Sequence, residues 1–96
     1  MCSNIVEIGE IRGAGRSPDL GWFDLKQVIV AFDHPLHADA EHAIMIDFVN
    51  HDQGLSAHVA VELTAESARE LIKVLEAALA RGEAEHLVTA SMAQVR

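Results

Sequence analysis

Apolar and polar positions alternate most cleanly near the middle of the chain, over residues 55–63. Leu55, Ala57, Val59, Val61 and Leu63 fall on one side of an extended backbone, and Ser56, His58, Ala60 and Glu62 fall on the other. A period of two is the mark of a half-buried strand. Residues 42–49 repeat it, with His42, Ile44, Ile46 and Phe48 set against Ala43, Met45, Asp47 and Val49. Between the two, Asn50-His51-Asp52-Gln53-Gly54 has the composition of a hairpin turn. Matching the apolar sides places Ile46 opposite Ala57 or Val59, and either register leaves Asp47 and His58 within cross-strand or diagonal reach.

Residues 22–33 predict the longest strand. Trp22, Asp24, Lys26, Val28, Val30 and Phe32 share one face, and Phe23, Leu25, Gln27, Ile29, Ala31 and Asp33 the other. From Val28 to Phe32 both faces are apolar, so each needs a cover. A first short strand is expected over 5–11. Segment 13–21 holds Gly13, Gly15, Pro18 and Gly21 and predicts a loop. It lacks the Gly-Lys-Ser/Thr ending of a phosphate loop. Pro35 makes 34–41 a connection.

The period then changes. Ala68, Leu71, Ile72, Leu75, Ala78 and Leu79 recur at helical spacing, after Thr64 as N-cap and with Glu66 in the first turn. Gly82 suits the position just past the end, so the helix is expected over 65–81. Residues 83–96 form a tail or an arm onto a partner. The order β-β-β-β-α predicts an α+β fold: a four-stranded antiparallel sheet covered on one face by one C-terminal helix. Residues 1–96 make a single domain with a compact core over 1–82. One helix cannot cover both sides of Val28–Phe32, so a homodimer through the sheet is expected, with two-fold symmetry.

Charge and cysteine content narrow the partners. Fifteen acidic residues against seven basic ones give a net charge of −8, which opposes binding to nucleic acid or to an anionic membrane surface. A single cysteine, Cys2, excludes an internal disulfide. No apolar run approaches membrane-helix length and no signal-peptide pattern is present, so a cytoplasmic location is expected.

Two groups of residues carry candidate chemistry. Residues 33–42 concentrate His34, His37 and His42 with Asp33, Asp39 and Glu41. Imidazoles and carboxylates ligate zinc or another divalent ion, and Cys2 could add a thiolate. The competing reading is a set of exposed loop histidines. The second group is His58 with Asp47, a histidine and carboxylate arranged as a general base. Its competing reading is a cross-strand polar pair. Lys26 is expected in a surface ion pair, and Trp22 and Phe23 as core or interface anchors or as the floor of a small-ligand pocket.

The string Trp22-Phe23, Phe32-Asp33-His34-Pro35, His37, Glu41-His42 and Ile46-Asp47-Phe48-Val49, followed by Val59-Ala60-Val61-Glu62-Leu63 and Ser67-Ala68-Arg69, resembles a family of uncharacterised bacterial, mainly actinobacterial, proteins of about 100 residues. The resemblance covers roughly 1–81 and implies no activity, cofactor or functional residue. The leading expectation is a small dimeric ligand- or protein-binding protein. One alternative is a divalent-metal protein or metal-dependent enzyme using His34, His37, His42 and Cys2. The other is a metal-free enzyme with His58 and Asp47 as the base.

Overall fold

The computed structural model describes residues 5–85. They form two compact units, one reaching to Ala65 and the other beginning at Glu66. The first is a four-stranded antiparallel meander in the order β1-β2-β3-β4: β1 (Ile5–Ser17), β2 (Gly21–Asp33), β3 (Ala43–Val49) and β4 (His58–Leu63). The second contains α1 (Ala65–Ala84).

Alternation sets the faces of the sheet, and the register confirms them row by row. One face aligns Ile5, Phe32, Ile44 and Leu63, then Glu7, Val30, Ile46 and Val61, then Gly9, Val28, Phe48 and Val59. The other aligns Val6, Ala31, Met45 and Glu62, then Ile8, Ile29, Asp47 and Ala60, then Glu10, Gln27, Val49 and His58. The first face is apolar almost throughout. The second holds an apolar patch beside a polar margin on β3 and β4.

The glycine-rich segment is not a loop. Gly13 and Gly15 continue β1 and pair with Leu25 and Phe23, after a register shift between Glu10 and Gly13. Glycine in a strand commonly marks a bulge or a close approach, and both occur here. A Cβ placed on Gly15 would lie 2.9 Å from Leu25 Cδ2 and 3.5 Å from both Phe23 Cζ and Val59 Cγ2. The reversal is confined to Pro18–Leu20. The buried Ser17 hydroxyl accepts the Asp19 and Leu20 N–H groups at 3.2 and 3.3 Å, and Gly21 supplies the positive φ of 76°.

The β3–β4 connection is longer than a hairpin turn. His51–Gln53 is a 3-10 turn, and the Asn50 N–H donates to the Ala57 carbonyl at 3.0 Å, which closes the loop. Leu55 and Ser56 therefore lie outside β4, and Ile46 faces Val61 rather than Ala57 or Val59. The cause is Asn50, buried at the end of β3. Its Nδ2 donates to the Asp24 carbonyl at 2.9 Å and its Oδ1 accepts the Asp52 N–H at 3.0 Å. These bonds pin the turn to β2 and outweigh continued alternation.

The sheet unit keeps few side chains from water. Phe23, Ala43, Ile46, Val49 and Ala57 are its buried apolar residues, and no large side chain among the described residues is fully buried. The helix runs through Gly82 to Ala84, because Glu83 and Ala84 favour helix and the Glu85 N–H still reaches the Arg81 carbonyl at 3.1 Å. Residues 86–96, most of the expected tail, and Cys2 lie outside the described residues.

Candidate functional site

Asp47 and His58 meet on the mixed face of the sheet. Asp47 pairs with Ala60 and His58 with Val49, so the two are diagonal neighbours across β3 and β4. His58 Nε2 lies 2.9 Å from Asp47 Oδ1, and both side chains are nearly half exposed. A histidine held by a carboxylate in this way is oriented to take up or release a proton. Ser56 is not on that face. It sits in the turn, where its hydroxyl donates to Asp19 Oδ2 at 3.4 Å.

The histidine loop closes the other end of the same strands. His42 stacks on Phe32 with ring centroids 5.6 Å apart, and His34 lies against His42 at 4.5 Å. His34 Nδ1 contacts the Glu41 carbonyl at 2.8 Å. His37 turns elsewhere, to Glu62 at 3.7 Å, with its side chain 87% exposed. The three imidazoles therefore do not share a centre. Among the described residues, no group of three or more His, Cys, Asp or Glu side chains is arranged to hold a metal ion.

Glu62 organises this loop, and sequence reasoning assigned it no such part. Its carboxylate accepts the N–H groups of Leu36, His37 and Ala38 at 3.0, 2.7 and 2.8 Å. The Leu36 and Ala38 bonds are the main reason its pKa falls below the ordinary 4.5. A carboxylate stabilised in this way holds the loop above the unfolded value and releases it as pH falls through the lowered native one. We expect the exchange protection of the Leu36, His37 and Ala38 amides to be steady near neutrality and to collapse only as pH falls below the ordinary glutamate range. Glu62→Ala should abolish it at every pH, as read by hydrogen exchange in NMR. Unchanged protection in the variant would show that the loop is held by other contacts. The only signal in the sequence was a carboxylate on the polar side of a strand, which is too common to single out Glu62.

Lys26 pairs with Asp52 of the 3-10 turn in the open, and the bond between them raises the lysine pKa and lowers that of the aspartate. Phe23 is buried, and its neighbour Trp22 is 71% exposed. Because 13–21 is mostly strand, no glycine loop closes a pocket over this pair. A shallow depression beside Ala78, Arg81, Gly82 and Glu85, at the C-terminal end of α1, involves none of the candidate residues. No described helix is long and apolar enough to cross a membrane.

Residues 1–89 match a family of unknown function, DUF6295. No curated protein and no solved structure matches the chain.

Proposed function

The chain belongs to the DUF6295 family, whose function is unknown, and from the geometry above we propose that it works as a homodimer, a small binding protein whose first partner is a second copy of itself. The observation that carries this reading is the apolar surface left in water. Ile5, Val6 and Ile8 on β1 are 50%, 52% and 62% exposed. Half of the 96 residues are hydrophobic, yet the described residues hold no large side chain in a sealed core. Domains of this size are marginal even when well packed. Each half-exposed aliphatic that gains cover contributes roughly 1 kcal/mol, so a partner supplies what the chain lacks. The net charge of −8 favours a protein partner over nucleic acid, and a cytoplasmic setting suits a chain with one cysteine.

Light scattering after size exclusion tests the reading. A mass of twice the 10.4 kDa chain is expected at micromolar concentration. A single-chain mass persisting to about 100 µM would overturn it.

A further inference from the structure

The proposed homodimer can be placed on one strand, and this step rests on that reading. β1 is an edge of the sheet, with β2 as its only neighbour in the strand order. It is 13 residues long, well beyond the usual strand length of about 5–6. Long apolar edges are ready templates for pairing with another chain and are normally shortened, charged or covered. The exposure along this edge decides how it would be covered. Ile5 lies on one face of the sheet, in the row of Phe32. Val6 and Ile8 lie on the other, in the rows of Ala31 and Ile29. All three are at least half exposed. A body docking on one face would reach either Ile5 or the pair Val6 and Ile8, but not both sets. A strand added alongside β1 places neighbours beside side chains on both faces at once.

We infer that two copies join β1 to β1 in antiparallel fashion, making one continuous sheet, with the two-fold axis passing between the two Ile8 residues. Charge excludes two other centres, and apolar matching selects Ile8. An axis at Glu7 or at Glu10 would set identical carboxylates directly opposite each other, which is destabilising. Centring on Ile8 sets Ile8 against Ile8, Ile5 against Ile11, Glu7 against Gly9 and Val6 against Glu10. No like charges then face each other directly, and both faces gain apolar contact. The paired stretch 5–11 precedes the register shift between Glu10 and Gly13 and spans roughly 23 Å.

Cysteine cross-linking tests the placement. In a Cys2→Ser background, Ile8→Cys is compared under mild oxidation with Leu55→Cys, which lies in a turn at 94% exposure. The Ile8→Cys protein should give roughly tenfold more disulfide-linked dimer, because only the paired edge brings the two Cβ atoms to about 4.5 Å. As a second arm, Ile8→Lys should abolish the dimer mass and lower the urea midpoint with it, whereas Leu55→Lys, at an exposed turn position, should change neither. If the protein has dimer mass but Ile8→Cys links no faster than Leu55→Cys, the edge pairing is wrong and self-association stands. A parent protein of single-chain mass would overturn both.

Discussion

Phe23→Ala should lower the stability of this protein by about 3–5 kcal/mol, the usual cost of removing a buried aromatic ring. Phe23 is 5% exposed and is the largest of the five buried apolar residues. Its ring edge lies where the second half of β1 approaches β4, since a Cβ on Gly15 would be 3.5 Å from both Phe23 Cζ and Val59 Cγ2. Removing the ring opens a cavity there, and the β1–β2 reversal and the end of β3 are already fixed by the hydrogen bonds of Ser17 and Asn50. Such a frame collapses poorly into a void, so the cost should fall in the upper part of the range. Urea unfolding followed by circular dichroism is the measurement, and the midpoint should drop by roughly 1–2 M. Leu55→Ala, at a position 94% exposed, should stay within about 0.5 kcal/mol. Equal effects at the two positions would mean that the core lies elsewhere.

Legibility followed how strictly side-chain pattern determined backbone. β2, β3 and α1 were readable because alternation or helical spacing persisted over many residues, and their ends moved little. The Asp47–His58 contact was readable for the same reason. A period of two forces positions on adjacent strands to one face, so the pair survived although the register, Ile46 with Val61, is neither of the two expected. β1 was half missed. Gly13 and Gly15 have no side chains to alternate, and composition alone favoured a loop, whereas Gly13 follows the register shift and Gly15 sits where the chain passes close to Leu25, Phe23 and Val59. The start of β4 was misplaced because Leu55 and Ala57 extend the alternation into a turn set by Asn50. One amide can override a pattern when both its ends are satisfied in a buried place.

The histidine loop shows the limit from the other side. Spacing placed His34, His37 and His42 near each other, and two of them, His34 and His42, do meet, with ring centroids 4.5 Å apart. The third is carried away because Glu62 gathers the backbone of Leu36, His37 and Ala38. A carboxylate more than twenty positions away, acting on backbone N–H groups, leaves no trace in side-chain spacing.

The central claim is that folding and association of this chain are linked. Unfolding by urea at two protein concentrations a hundredfold apart addresses it directly. For a folded dimer in equilibrium with unfolded chains, that change of concentration contributes about 2.7 kcal/mol to the folded side, so the midpoint should rise by about 1 M. A midpoint that is the same at both concentrations would show that the chain folds without its copy and would contradict the account.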